Sequence, residues 1–114
     1  MADDQLNATL SALADPTRRA ILTRLMAGDA TVNELLEPFS ISQPALSKHL
    51  KVLEGAGLIS QRSDGPRRPR RLEAGPLVGV VKWLEDFRPH WEDSIQRQAE
   101  FADLLEDDGS ITWS

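Results

Sequence analysis

The 114-residue chain contains no cysteine and only two histidines. The absence of cysteine excludes disulfides, thiolate metal sites and a catalytic thiol, and it is compatible with a reducing compartment. No stretch approaches the roughly 20 apolar residues of a membrane span. The acidic N-terminus also lacks the basic and apolar regions of a signal peptide. We therefore expect a soluble, cytoplasmic protein with no membrane partner.

A credible catalytic set is also missing. The chain has no glycine-rich phosphate loop, and many of its carboxylates are concentrated towards the C-terminus. Nucleophile, base and electrophile cannot be assigned to such a set of residues. We expect no enzyme activity and no cofactor.

Basic charge is scarce overall but concentrated in one place. The net charge is −5, which at first argues against a nucleic-acid partner. Residues 42–71, however, hold seven basic and two acidic side chains, while residues 1–41 carry a net charge of −3 and residues 72–114 one of −7. The location of basic charge matters more for a DNA-binding surface than the total. The middle of the chain is therefore the candidate binding region.

Four helices are predicted in the N-terminal half. Leu6, Leu10 and Leu13 recur at helical spacing and indicate a short first helix. Asp15-Pro16 favours the start of a second helix, which ends before Gly28. Its predicted apolar stripe consists of Ala20, Ile21, Leu22, Leu25 and Met26.

Two further helix starts follow. Thr31 and Glu34 have capping-box spacing, which predicts a short helix from Val32 to about Glu37. Ser42 is predicted to cap a fourth helix that runs to about Ala56. One face of this fourth helix is predicted to pack inward: Ala45, Leu46, His49, Leu50, Val52, Leu53 and Ala56. The other face is predicted to be exposed: Gln43, Ser47, Lys48, Lys51, Glu54 and Gly55.

A short hairpin is predicted after the fourth helix. Residues 58–63 are a candidate strand, and residues 64–66 (Asp-Gly-Pro) are a strong turn signal. Residues 67–72 could form the second strand, running back beside the first. Pro69 restricts the returning strand to a sheet edge or a bulge. The pair has the form of a wing with four arginines near its tip and return: Arg67, Arg68, Arg70 and Arg71.

The last third of the chain is predicted to be helical. Gly75-Pro76 opens it, and an apolar stripe continues to Leu105. Pro89 predicts either a kink or a break into two helices. We expect one winged helix domain, mainly α with a β-hairpin wing, over residues 1–114. Its parts are a helix-turn-helix core and wing over about 5–73, C-terminal helices over about 75–106, and a flexible tail over 107–114.

The exposed face of the fourth helix has the chemistry of a DNA-reading helix. Glutamine offers a paired donor and acceptor that suit adenine, serine can reach base edges or phosphate, and lysine can contact phosphate or guanine. Wing arginines can lie along phosphates or enter the minor groove. The predicted DNA-binding residues are Ser42, Gln43, Ser47, Lys48, Lys51, Arg62, Arg67, Arg68 and Arg70.

Three segments together resemble the ArsR/SmtB family of bacterial transcriptional regulators. They are residues 14–22 (ADPTRRAIL), residues 41–54 (ISQPALSKHLKVLE) and residues 57–59 (GLI). The resemblance covers roughly residues 6–90. It implies a winged helix domain, a homodimer built on the first and last helices, and repression at an operator that a signal relieves. A two-fold dimer implies a palindromic operator in double-stranded DNA.

Dimerisation is also suggested by composition. Trp83, Phe87, Trp91 and Phe101 give the C-terminal stripe more apolar area than a lone surface helix needs, and intramolecular packing is the alternative. The predicted interface residues are Leu6, Leu10, Val80, Leu84, Phe87, Trp91 and Ile95. The inducer is not readable from the sequence.

Metal sensing, known in this family, fits the sequence poorly. The third helix has no thiolate, and only His90 and Asp93 match half of the ligand spacing that zinc-sensing relatives place on the last helix. Because a site needs three or four suitable ligands, we expect no metal. The alternatives to a DNA-binding repressor are a metal-responsive repressor and a winged helix that only contacts proteins.

Four residues near the second and fourth helices keep two interpretations. His49 is either a packed structural histidine or a DNA contact. Asp15 is either a helix cap, which is the favoured interpretation, or a functional acid, and Arg18 and Arg19 either hold it or touch phosphate.

Overall fold

The computed structural model describes residues 2–63 and 65–105, and it places side chains for residues 3–63 and 65–97. The described residues form two compact units that divide after Val80. Within the described ranges the elements are α1 Ala2–Leu13, α2 Pro16–Leu25, α3 Val32–Leu36, α4 Gln43–Gly55, β1 Ile59–Gln61, β2 Arg70–Leu72, α5 Gly75–Glu85 and α6 Arg88–Leu105.

The three predicted N-caps are confirmed. Asp15 Oδ2 accepts the backbone N–H of Arg18 at 3.0 Å, and Ser42 Oγ accepts that of Ala45 at 3.2 Å. At α3 the capping box is complete, because the Thr31 hydroxyl accepts from the Glu34 backbone and Glu34 Oε1 accepts from the Thr31 backbone. Each side chain satisfies an N–H that the first helical turn leaves without a partner. These local bonds fix where α2, α3 and α4 begin.

A left-handed glycine ends α4 and turns the chain into the hairpin. Gly57 has φ +75°, a conformation that side chains with a Cβ rarely adopt. Its N–H donates to Glu54 O at 3.0 Å, and the N–H of Leu58 donates to Leu53 O at 3.0 Å. This turn buries Leu58 and Ile59 in the core directly after the helix.

The core of the first unit lies between α1, α2, α3, α4 and the hairpin. Its central side chains are fully or almost fully buried: Ala12, Ile21, Leu22, Leu25, Ala30, Leu35, Leu46, Leu50, Leu53, Ala56, Leu58 and Ile59. Partly buried side chains, among them Leu36, Phe39, Leu72 and Leu77, pack around it. This core holds α4 by one face and leaves its opposite face in solvent.

Three predicted core positions are wrong. Val52 is 40% exposed, because it lies about 120° around the helix from Leu46, outside the buried arc. On α2, Ala20 and Met26 are also exposed. The predicted apolar arcs of both helices were therefore too broad.

On α1 the inward face differs from the leucine stripe. Thr9 and Ala12 are fully buried, whereas Leu6 and Leu13 are half-buried and Leu10 is exposed. The stripe thus lies beside the buried face of α1.

The hairpin is shorter than predicted. β1 and β2 pair antiparallel in the register Ile59 with Leu72 and Gln61 with Arg70. Pro69 precedes β2, where its missing N–H costs no ladder bond, and its carbonyl accepts from the Arg62 N–H at 2.8 Å. On the other edge, the backbones of Arg70 and Ala30 exchange two hydrogen bonds of 2.7 and 3.0 Å. These bonds attach the wing to the loop before α3.

The C-terminal region is broken into two helices. α5 ends at Glu85 and α6 begins at Arg88, so Pro89 lies in the first turn of α6, where its missing N–H has no helical acceptor to lose. The Arg88 guanidinium pairs with both carboxylate oxygens of Glu85 at 2.7 and 2.6 Å across the break. The predicted tail, residues 107–114, lies outside the described residues. None of the described helices combines the length and apolar character that a membrane span requires.

Candidate nucleic-acid interface

The exposed face of α4 carries the side chains predicted to read DNA. Gln43, Lys48 and Lys51 are exposed, and Ser47 is half-buried. Leu46, Leu50 and Leu53 are buried on the opposite face, so this helix is held against the core while its polar face stays open. Ser42 is exposed and caps the helix, which occupies its hydroxyl with the Ala45 N–H.

Two wing arginines are exposed beside this helix. Arg67 and Arg68 lie in the connection before β2. Arg68 has φ +43°, the left-handed region that a residue with a Cβ enters at a cost of about 1–2 kcal/mol. Its carbonyl accepts from Arg70 Nη1 at 2.8 Å, which holds the backbone in this conformation.

The other wing arginines are paired with carboxylates. Arg62 Nη1 lies 3.5 Å from Asp29 Oδ2, and Arg71 Nε lies 3.6 Å from Asp29 Oδ1. All three side chains are partly exposed, so each pair contributes little to stability. Asp29 nevertheless places a negative charge between two of the cations that the sequence offered to DNA.

Arg70 is the most enclosed of the wing arginines. Its side chain is 14% exposed, and its Nε lies 3.5 Å from Glu54 Oε1 without the geometry of a hydrogen bond. The amide of Gln61 donates to both oxygens of Glu54 at 3.3 and 3.2 Å. Glu54 therefore joins α4 to both wing strands. The predictions that Arg62 and Arg70 contact DNA stay predictions.

One open groove lies between the wing and the start of α4, the predicted DNA-reading helix (called the reading helix below). It has a volume of about 580 Å³ and is lined by the start of α3, by Gln43 and by the wing, namely Thr31, Val32, Asn33, Glu34, Gln43, Pro66, Arg67, Arg68 and Arg70. Thr31 and Asn33 are site residues that were not predicted from the sequence. The capping box located them at the start of α3, but nothing local shows that this start faces the wing.

Glu34 supplies a fixed negative charge in this groove. The Thr31 backbone N–H and then the Thr31 hydroxyl bond to its carboxylate and lower its pKa, and the Arg67 cation adds a small contribution in the same direction. The carboxylate therefore stays ionised at neutral pH. A negative group between Asn33 and the arginines limits where a phosphate can lie in the groove.

The predicted dimer residues of the second unit lie on an exposed apolar surface. Leu84, Phe87 and Trp83 are 38%, 43% and 44% exposed, and Trp91 and Ile95 are half-buried. The rings of Trp83 and Phe87 meet edge to face with centroids 5.0 Å apart. An open cavity of about 610 Å³ is lined by Leu84, Arg88, Trp91 and Ile95. Val81 is also exposed and extends this surface. It was not predicted, because the apolar stripe at spacings of three and four passes through its neighbour Val80.

The remaining predicted dimer residues belong to the first unit. Leu6 and Val80 are half-buried, and Leu10 is exposed. Their contact with a second copy of the chain stays a prediction.

No cluster of three or more histidine or carboxylate side chains suited to a metal ion occurs within residues 3–63 and 65–97. Asp93, part of the half-match to a zinc pattern, pairs with Arg97 at 3.1 Å.

Comparison with known proteins gives a consistent result. Residues 13–62 match the family described as a helix-turn-helix domain. The HTH-type transcriptional regulator Rv2034 of Mycobacterium tuberculosis is 40% identical over 97 residues, covering 85% of this chain and 88% of the relative. The transcriptional repressor SdpR of Bacillus subtilis is 37% identical over 82 residues, covering 72% of this chain and 91% of the relative.

A solved structure supports the same family. The ArsR family transcriptional regulator RHA00566 is 43% identical and superposes with a TM-score of 0.72, covering 79% of this chain and 93% of that one. The resemblance in segments 14–22, 41–54 and 57–59, the helical core and the hairpin after α4 agree with these matches. The chain belongs to the ArsR/SmtB family of winged helix-turn-helix transcriptional regulators.

Proposed function

We propose that the protein is a homodimeric repressor that binds a palindromic operator in double-stranded DNA and places α4 in the major groove. One observation carries the proposal: Gln43, on the exposed polar face of α4, lines one open groove together with the exposed wing arginines Arg67 and Arg68. The major groove, about 12 Å wide, admits one helix. The same surface lies in the basic third of an otherwise acidic chain.

The side chains divide between reading and holding. We assign Gln43 to a base edge, where its amide can pair with adenine, and Ser47 to a base or a phosphate. Lys48 and Lys51 contact phosphate or guanine, and Arg67 and Arg68 contact phosphates or the minor groove. Arg62 and Arg70 contribute less, because Asp29 and Glu54 already compensate their charge.

The apolar surface of the second unit supports a dimer. Indole and phenyl rings that are almost half exposed, together with a large apolar cavity, form the kind of patch that marks a protein interface. We propose that Val80, Leu84, Phe87, Trp91 and Ile95, with Leu6 and Leu10 of α1, contact a second copy. A two-fold dimer sets two α4 helices about 34–36 Å apart, one turn of DNA.

Repression is the sign of regulation that we infer, because SdpR, with 37% identity, is named a transcriptional repressor. Release from the operator then requires a signal, for which no side chain identifies a ligand. The protein acts in the cytoplasm, where a bacterial regulator meets its DNA.

The DNA-binding part is tested by sequencing genomic fragments that the purified protein retains. We expect a palindrome with half-sites one helical turn apart, and an affinity whose logarithm falls linearly with that of the salt concentration. Lys48→Gln should lower the slope by about 1, whereas Lys82→Gln, on α5, should leave it unchanged. Undetectable binding to every fragment at low salt would instead favour a winged helix that contacts only proteins.

The dimer is tested by light scattering. The wild type should have twice the mass of the chain, 12.6 kDa. Trp91→Asp should lower both the dimer fraction and the DNA affinity, because it buries a charge in the proposed interface. Gln96→Asp introduces the same charge at an exposed position of α6 and is the matched control. A monomeric wild type contradicts the proposal.

A further inference from the structure

The guanidinium of Arg18 joins three helices of the first unit. Its Nε donates to Ala12 O at 2.8 Å and its Nη2 to Ser11 O at 3.0 Å, near the C-terminus of α1. Its Nη1 lies 3.2 Å from Nδ1 of His49, on α4. A cation that binds the last carbonyls of a helix is well placed both for their hydrogen bonds and for the helix dipole. Arg18 therefore ties the end of α1 to the reading helix.

A second bond ties the start of α1 to the end of the same reading helix. The side-chain amide of Gln5 donates to Ala56 O at 2.9 Å, at the C-cap of α4. The Gln5 amide also donates to the hydroxyl of fully buried Thr9, which in turn donates to Gln5 O. α1 thus holds α4 near its middle and at its end, and His49 is adjacent in sequence to Lys48 of the reading face.

The bond between Arg18 and His49 sets the proton on the imidazole. The guanidinium is always protonated and can only donate, so Nδ1 of His49 must accept. This bond therefore requires the neutral tautomer that carries its proton on Nε2. Its side chain is 23% exposed, which leaves it within reach of solvent protons.

Protonation of His49 breaks this arrangement. An N–H at Nδ1 turns the acceptor into a donor and sets two cations 3.2 Å apart. Among the described residues, Asp15 is the one carboxylate paired with His49, at 3.9 Å, and its Oδ2 already accepts from the Arg18 N–H. That backbone bond is the main cause of the lowered pKa of Asp15, so its negative charge is present throughout the range in which histidine titrates.

We propose that Arg18 is a positioning residue for DNA reading, which acts through neutral His49, and that proton uptake by His49 weakens sequence-specific binding. The inference rests on the proposed function, because it concerns the helix assigned to the major groove. Protonation of His49 should then reduce the discrimination between DNA sequences. It should not reduce the general attraction to DNA, because the added positive charge favours contact with phosphates.

The test uses the full chain, a duplex with the selected operator and a scrambled duplex of equal length. The quantity measured is the ratio of the two affinities between about pH 8 and about pH 6, the range in which histidine titrates. For the wild type we expect the ratio to fall by about tenfold, the equivalent of one hydrogen bond to a charged group. His49→Gln keeps an uncharged acceptor for Arg18 and should make the ratio independent of pH. His90→Gln removes the other histidine and should leave the wild-type profile unchanged.

Arg18→Gln separates positioning from the proton itself. This variant should show a low ratio at every pH while its circular dichroism stays that of a folded protein, and Arg18→Lys should restore part of the ratio. A pH-independent ratio in the wild type, or an unchanged profile in His49→Gln, overturns the inference and leaves the proposed function standing. A wild type that binds no DNA at any pH refutes the proposed function instead.

A measurement on the wild type alone guards against variants that do not fold. Nitrogen-15 spectra of labelled histidine distinguish the two neutral tautomers. In the neutral form of His49 we expect the proton on Nε2, because Nδ1 accepts from Arg18. A proton on Nδ1 in the neutral form overturns the inference, because Nδ1 then cannot accept from Arg18.

Discussion

The reading helix and the wing present basic side chains in different ways. α4 buries three leucines, and neither Lys48 nor Lys51 lies within 4 Å of a carboxylate in the described part of the chain. The wing has two strands of three residues, and three of its arginines are paired with Asp29 or Glu54. The helix is therefore packed on the core and carries lysines that are not paired with carboxylates of the described residues, whereas three of the wing arginines are paired with carboxylates.

This difference indicates different roles on DNA. A side chain can select a base only if its backbone is held in place, which the core achieves for α4. A paired wing arginine can contribute to affinity by leaving its carboxylate and binding a phosphate of the DNA. Because a partly exposed ion pair contributes little to stability, breaking it costs little free energy.

Stability should depend far more on the helix than on the wing. Leu50→Ala removes a fully buried side chain from α4 and should lower the free energy of unfolding by about 2–5 kcal/mol. Leu72→Ala, half-buried in β2, should cost about half of that. Urea unfolding measures both, and Val52→Ala on the exposed side of α4 is the control, with a cost below about 1 kcal/mol. Equal losses for Leu50 and Leu72 would refute the contrast.

Sequence preference should belong to the helix and general affinity to the wing. Gln43→Ala should relax discrimination at one base pair by about 1–3 kcal/mol. Arg67→Gln should weaken binding to all sequences alike and reduce the salt slope by about 1. Affinities for single-base operator variants at two salt concentrations separate the effects. A changed base preference in Arg67→Gln would show that the wing reads sequence as well.

The sequence predicted the helix much better than the wing contacts. The N-cap of α4 bonds a residue only three positions further along the chain, and its buried leucines follow the helical period. Both features could therefore be predicted. The partners of the basic side chains could not, because Arg62 is 33 residues from Asp29 and Arg18 is 31 from His49. Such pairs arise only from tertiary packing, and they decide which cations stay open. The error at Val52 has the same origin, since a pattern gives the direction of an arc but not its width.

The charge compensation of the wing can be removed directly. Asp29→Asn should release Arg62 and Arg71 and raise affinity for all sequences by about twofold to fivefold, with a steeper salt slope. Glu37→Gln, at the C-cap of α3, removes the same charge without touching a wing arginine and serves as the control. Equal gains in both variants would mean that net charge alone matters. If adding Arg62→Gln to Asp29→Asn abolished the gain in affinity, the gain would be due to the released Arg62.

The smallest expected effect is a change of stability at acidic pH, which should depend on the cap of α3 and not on the cap of α4. The cap of α4 is the uncharged Ser42, whereas the capping box of α3 uses the carboxylate of Glu34. The Thr31 N–H and hydroxyl lower the pKa of Glu34 below its ordinary value of 4.5. Because the pKa is lower in the folded state, the ionised form stabilises the fold above pH 4.5, and that contribution is lost as the pH falls through the folded-state pKa.

Glu34→Gln isolates this contribution, because glutamine also completes a capping box but carries no charge. The wild type should be more stable than the variant at neutral pH, and the difference should shrink below pH 4.5 until the two unfolding curves coincide. Ser42→Ala should instead give a difference from the wild type of about 1 kcal/mol that does not change with pH. If the stability difference between the wild type and Glu34→Gln persisted in acid, the hydrogen bond between Glu34 and Thr31 would not depend on the charge of the carboxylate. The start of α3 would then be held in the same way as that of the reading helix.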